Sequence, residues 1–112
     1  MGRSLAARNT LADTEASLGS WISLHTDDPG ATGANEAAVA RVQTSWGAAT
    51  SGTVTGSKVS FNDVPPGTYK QWAIWTAETG GTFVDAPSVI VSVVTLTETG
   101  PIEVTPRITV QS

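Results

Sequence analysis

The chain has 112 residues, 39% hydrophobic and only 14% charged, with a net charge of −4 and no cysteine. That length carries one hydrophobic core, so a single domain over residues 1–112 is expected. The six basic residues are scattered, which argues against phosphate-neutralising nucleic-acid binding. An acidic chain with no run near the ~20 apolar residues of a membrane span is not expected to enter a bilayer. The missing cysteines remove disulfides, thiolate metal sites and cysteine nucleophiles.

Residues 4–18, SLAARNTLADTEASL, read as a helix. Ser4 is a candidate N-cap and Gly19 a candidate left-handed C-terminal cap. Leu5, Leu11, Ala12 and Leu18 can share one stripe, with Ala7 and Ala16 at its flanks, and that thin stripe must dock on something. Residues 1–18 lack the continuous apolar core of a secretory signal, so none is expected.

From residue 21 the chain reads as β. Trp21 to Thr26 alternates, with Ile22 and Leu24 opposite Trp21, Ser23 and His25, and the turn-forming Asp27-Asp28-Pro29-Gly30 ends it. Trp21, at the helix–strand junction, is expected to pin the helix to the sheet. From Val39 the pattern places Val42, Thr44 and Trp46 inward and Arg41, Gln43 and Ser45 outward. Short strands follow at 53–55 and 58–62, then Val64-Pro65-Pro66-Gly67-Thr68, whose Pro66-Gly67 fits a type II turn.

Tyr69 to Thr76 is apolar on both faces, as expected of a central strand covered on both sides. Gly80-Gly81 predicts a hairpin into Thr82-Phe83-Val84, and Val89 to Leu96, VIVSVVTL, is again two-sided. The last strand places Ile102, Val104, Ile108 and Val110 inward and Glu103, Thr105, Arg107 and Thr109 outward, with Pro106 marking an edge or bulge. Seven or eight short strands with one N-terminal helix predict an all-β fold, a small antiparallel β-sandwich over 21–112. Two covered faces then call for a second sheet, the helix or another subunit. The low charge favours a chain partly buried in an assembly.

His25, Asp27, Asp28 and Glu36 form the one local cluster that resembles a reactive site. An imidazole beside carboxylates can act as acid and base or bind a metal, but the spacing matches neither a helical His-Glu zinc motif nor an EF-hand. No G-x-S-x-G elbow accompanies a serine for His25 to activate. The favoured reading has the two aspartates accepting backbone hydrogen bonds in the turn, with no catalytic, cofactor-binding or metal role. Tyr69, Trp46, Trp72 and Trp75 are read as core or interface, the alternative being a sugar-stacking platform for host glycans.

An ordered set of motifs carries a resemblance across most of the chain. It comprises Ser23 to Thr26, Asp28 to Gly30, Thr32 to Glu36, Ala40-Arg41, Val64 to Thr68, Trp75, and Thr79 to Phe83. In these the chain resembles a family of small tailed-phage virion proteins, common in phages of actinobacteria and labelled head-decoration or tail-fibre-like. Val39 and Asp27 depart from the pattern, standing where an aromatic and a small residue are usual.

The resemblance implies a non-enzymatic structural protein. It is expected on the outer capsid as a decoration protein, bound to the major capsid protein and to copies of itself as a trimer. A tail or tail-fibre component is the alternative. With no fibrous repeat or coiled coil, the short chain favours the capsid over a fibre shaft. The same reading makes Trp21, His25, Asp27, Asp28, Asn35, Glu36 and Arg41 candidate loop and interface residues, with Glu36 and Arg41 as a possible ion pair.

Overall fold

The structure is a computed structural model describing residues 4–86 and 89–110; the side chains of 89–93 lie outside that description. Helix α1 (Leu5–Leu18) is followed by nine strands. These are β1 (Trp21–His25), β2 (Val42–Gln43), β3 (Thr53–Thr55), β4 (Val59–Val64), β5 (Gly67–Trp75), β6 (Phe83–Asp85), β7 (Val89–Leu96), β8 (Gly100–Val104) and β9 (Arg107–Thr109). The all-β expectation with one N-terminal helix holds, with nine strands instead of seven or eight.

A five-stranded antiparallel sheet runs β2-β1-β5-β6, with β7 also paired to β5. β5 is its axis. β1 lines one edge, from Trp21 opposite Trp75 to His25 opposite Gln71. The other edge is shared by β6, at Ile74 and Trp75, and β7, from Gly67 to Gln71. Two ribbons, β3–β9 and β4–β8, complete the β structure. One core joins all of these, with Ile22, Leu24 and Ile74 from the large sheet meeting Val54 and Ile108 of one ribbon and Phe61 and Ile102 of the other.

The C-terminal alternation appears as predicted. Ile102, Val104 and Ile108 are buried, Val110 is half-buried, and Glu103, Thr105, Arg107 and Thr109 are exposed. Pro106 divides the segment, so that β8 pairs with β4 and β9 with β3. Lacking an N–H, Pro106 cannot extend a ladder, but its carbonyl accepts from Gly56 N at 2.9 Å and keeps the chain on the core. Pro66-Gly67 is a bend instead of a type II turn. Gly67 has φ 155, more extended than such a turn requires, and already opens β5. The two-sidedness expected of residues 89–93 lies outside the described residues.

Helix α1 departs most from its expected packing. Ser4 caps it, its Oγ accepting from Ala7 N at 3.1 Å. Yet the buried residues are Ala12 and Ala16, while Leu5, Leu11 and Leu18 are 50%, 45% and 56% exposed. The leucine stripe therefore faces away from the sheet. The docked face approaches the 49–52 connection closely enough for side chains to serve its backbone. Asp13 Oδ1 accepts from Ala49 N at 2.9 Å and Asn9 Oδ1 from Gly52 N at 2.7 Å. Small residues fit that distance; leucines do not.

Gly19 is extended, at φ −173, and is not a left-handed cap. Glycine is required there by proximity: a Cβ would stand 2.4 Å from the Trp75 carbonyl oxygen. The pin on the helix end is Trp46, whose Nε1 donates to Gly19 O at 2.8 Å. Trp21 pairs instead with Gln43 and Trp75 within the sheet.

Candidate functional site: the 26–41 loop and its clamp

Trp21, Ser23 and His25 alternate onto one face of β1, and Ala73 and Trp75 fall beside them in register on β5. The loop that follows β1 folds back along it. Glu36 bridges His25, Ala37 N donates to Leu24 O at 2.8 Å, and Val42 and Gln43 then pair with Ile22 and Trp21. Residues between are bulged out of the ladder, and Gly33 rests on the Trp75 ring: a Cβ at Gly33 would lie 2.6 Å from that indole. The second face of β5 is thus covered by the chain's own loop.

The aspartates do what turn chemistry predicts. Asp27 Oδ1 accepts from Asp28 N, and Asp28 Oδ1 from Gly30 N, both at 2.9 Å. Asn35 adopts φ 63, a left-handed conformation that asparagine tolerates, and its Nδ2 donates to Asp28 O at 3.0 Å. Gly33 N and Ala34 N both donate to Pro29 O. Asp27, Asp28 and Asn35 are exposed. Among the described residues no three His, Asp or Glu side chains gather as a metal site would require.

His25 is fully buried, as is Ser23. His25 Nδ1 lies 2.8 Å from the Ala34 carbonyl, which only accepts, so Nδ1 carries the proton. Nε2 then accepts from Ser23 Oγ at 2.7 Å, while Ser23 Oγ accepts from Trp75 Nε1 at 2.9 Å. A serine on a histidine is the geometry of an activated nucleophile. Here the third partner is a carbonyl, no member of the Ser23–His25 pair reaches solvent, and the hydroxyl is engaged on both sides. Burial lowers the His25 pKa, opposed more weakly by the Ala34 hydrogen bond and the Glu36 charge.

Arg41, outward by strand alternation, is only 9% exposed. Its Nε and Nη2 donate to the two Glu36 carboxylate oxygens at 2.8 and 2.9 Å, a bidentate pair. Its Nη1 donates to Ala77 O at 2.9 Å and Gly80 O at 2.8 Å. The guanidinium carbon stands 3.7 Å from the Trp75 ring centroid, and Phe83 meets the same indole edge-on at 5.5 Å. Arg41 therefore ties the 26–36 loop to the 76–82 hairpin across Trp75.

The structure thus joins His25, Glu36 and Arg41 in one clamp, leaves Asp27, Asp28 and Asn35 on the outer turn, and keeps Trp21 in the sheet. Trp75, Ser23 and Gly33 join the clamp although the sequence singles out none of them as a candidate loop or interface residue; Trp75 is read there as core or interface. The shared parity of Ser23, His25 and Trp75 was the available signal.

Fold and site together define a small antiparallel β-module whose surface loop is held rigid by its own side chains. A family model, podophage GP4 fiber I protein gp80 (Gp80), matches residues 7–100, from the first helical turn into β8. The chain belongs to this family of phage fibre-type structural proteins. Neither a curated protein nor a solved structure matches it.

Proposed function

We propose that this chain is a non-enzymatic structural component of the fibre apparatus of a tailed-phage virion. The family match over 7–100 carries the reading, because the fibre is what the family's description specifies. It shifts the weight from capsid decoration, favoured on the sequence alone, to the tail-fibre alternative. The non-enzymatic part draws support from the Ser23–His25 pair, which is buried with its polar atoms committed to one another, to Trp75 and to Ala34. A glycan-stacking platform draws none: Trp72 is 3% exposed, and Trp21, Trp46 and Trp75 are half-buried.

In this role the clamped loop presents a fixed outer turn, Asp27, Asp28 and Asn35, to a neighbouring virion protein. The test is gold-labelled antibody against the chain on intact particles viewed by electron microscopy. Label on the fibres or their attachment site is the expected result. Label confined to the capsid shell sinks the fibre placement in favour of decoration.

A further inference from the structure

A relay of hydrogen bonds runs beneath the 26–41 loop, and its two ends fix its direction. The Trp75 indole N–H only donates and the Ala34 carbonyl only accepts. Between them Ser23 Oγ accepts from Trp75 Nε1 at 2.9 Å and donates to His25 Nε2 at 2.7 Å, and His25 Nδ1 donates to Ala34 O at 2.8 Å. One proton per link fills the relay. A further proton has one place to go, Nε2, where it meets the Ser23 hydroxyl proton head-on. Turning that hydroxyl away leaves Oγ accepting twice, from Trp75 and from His25, with its own proton cut off from the imidazole. Ser23 and His25 are both wholly buried, so that proton has no solvent to turn to.

The surroundings of His25 do not offset this. Two charged side chains face it, Glu36, bridged to it across the ladder, and Arg41. Both Glu36 carboxylate oxygens are engaged by Arg41, and the two charges act on the imidazole in opposite directions. β5 sets only Gln71 opposite His25, which carries no charge. Asp27 and Asp28, on the turn itself, are exposed and accept from the turn's own backbone N–H groups. Burial dominates and holds the His25 pKa below its ordinary 6.5.

The loop is built so that one part can leave while the other stays. Its turn is bonded within itself: Asp28 Oδ1 to Gly30 N, Pro29 O to Gly33 N and Ala34 N, and Asn35 Nδ2 to Asp28 O. That turn rests on the sheet through the Ala34–His25 bond and the contact of Gly33 with the Trp75 ring. The root is held separately, by Ala37 N on Leu24 O and by Arg41 on Glu36, Ala77 and Gly80. Between turn and root the neck is closed by Thr26 N on Asn35 O at 3.0 Å.

We propose that the relay is an acid-operated latch: uptake of one proton by His25 releases the 27–34 turn from Trp75 while the Glu36–Arg41 root stays closed. The neutral imidazole closes the latch, so the closed form is complete above about pH 6.5 and is lost as pH falls below it. Acid thereby converts a rigid outer turn into a mobile one. This goes beyond the fibre reading and holds whatever the turn contacts.

His25 is the chain's single histidine, which makes the test direct. Full-length 15N-labelled protein is titrated by NMR from about pH 7 to about 4.5, below the Glu15 titration near 8 and above that of ordinary carboxylates. As the His25 ring nitrogens report protonation, the Trp75 indole N–H should lose at least about tenfold of its protection against exchange. The Ala37 amide at the root and the Gly56 amide on Pro106 should keep theirs. His25→Asn retains a donor for the Ala34 carbonyl but takes up no proton, so its Trp75 indole should stay protected throughout. If circular dichroism shows that this variant does not fold, the wild-type comparison decides alone. Four results overturn the proposal. His25 takes up a proton while the Trp75 indole stays protected; Trp75, Ala37 and Gly56 lose protection together; His25 stays neutral to the end of the titration; or the release persists in a folded His25→Asn.

Discussion

Removing the Arg41 guanidinium tests whether the loop is held by the clamp. Arg41→Ala deletes four hydrogen bonds, two to the Glu36 carboxylate and two to the Ala77 and Gly80 carbonyls, along with the stacking on Trp75. It also leaves a carboxylate unpaired whose side chain is only 26% exposed. Breaking a fully buried pair costs about 3–5 kcal/mol, and partial access of water to Glu36 reduces this to about 2–4 kcal/mol. With about 2.1 cal/mol/K of unfolding entropy per residue, 112 residues give about 4 °C per kcal/mol. The expected fall in Tm is therefore about 8–16 °C.

Thermal melts followed by circular dichroism measure this directly, and two companion variants assign the cause. Arg41→Lys keeps the charge but not the planar fork, so it should recover less than half of the loss. Glu36→Ala combined with Arg41→Ala should cost less than the sum of the single changes by about 1–3 kcal/mol. A fall below about 3 °C for Arg41→Ala, or strictly additive single changes, would refute the view that this pair holds the loop.

Gly33→Ala must place a methyl into the Trp75 ring at φ 77, and strain plus overpacking should cost about 2–4 kcal/mol, read as a shifted urea midpoint. Leu11→Gln and Leu18→Gln should stay within about 0.5 kcal/mol of wild type, whereas Ala12→Leu should destabilise by about 1–3 kcal/mol. Glu15 on α1 has its pKa pushed up to about 8, first by burial and then by the hydrogen bond and like charge of Asp85 on β6. A pKa raised on folding contributes stability that is complete below the unfolded value and fades as pH climbs from about 4.5 to about 8. Solvent screening of this half-buried pair limits the loss to about 1–2 kcal/mol, which Glu15→Gln should abolish. His25 acts in the opposite direction: its lowered pKa keeps it neutral in the fold while the unfolded chain takes up a proton, so stability should fall as pH drops below about 6.5. In the Glu15→Gln background that acid-side fall should be seen alone; its absence would contradict a neutral, buried His25.

What the sequence reveals here is what depends on local period and turn chemistry. The parity of Ile102, Val104 and Ile108, the break at Pro106 and the Asp27–Asp28 turn all follow from residues within a few positions of one another. What it hides depends on distant partners. Arg41 sits at an outward position by alternation, yet it is drawn inside by carbonyls of Ala77 and Gly80 that lie 36 and 39 residues further along. The buried face of α1 is chosen by the distance of closest approach to residues 49–52, which favours Ala12 and Ala16 over leucines of greater hydrophobicity. Gly19 illustrates the same point, because its role is set by the Trp75 carbonyl and cannot be distinguished in the sequence from a capping glycine.

The covered second face of β5 changes where a partner should be sought. A strand apolar on both sides, in a domain this short of charge, invites the inference that a neighbouring subunit lies over the sheet. Instead the 26–41 loop lies there, with Gly33 against Trp75 and Arg41 stacked on it. The polar groups of that loop are satisfied as it enters the sheet's face: His25 of β1 serves the Ala34 carbonyl, and Glu36 neutralises Arg41. At Trp75 the second face of β5 is therefore covered from within the chain, and the two-sided pattern of this strand does not by itself call for a neighbour.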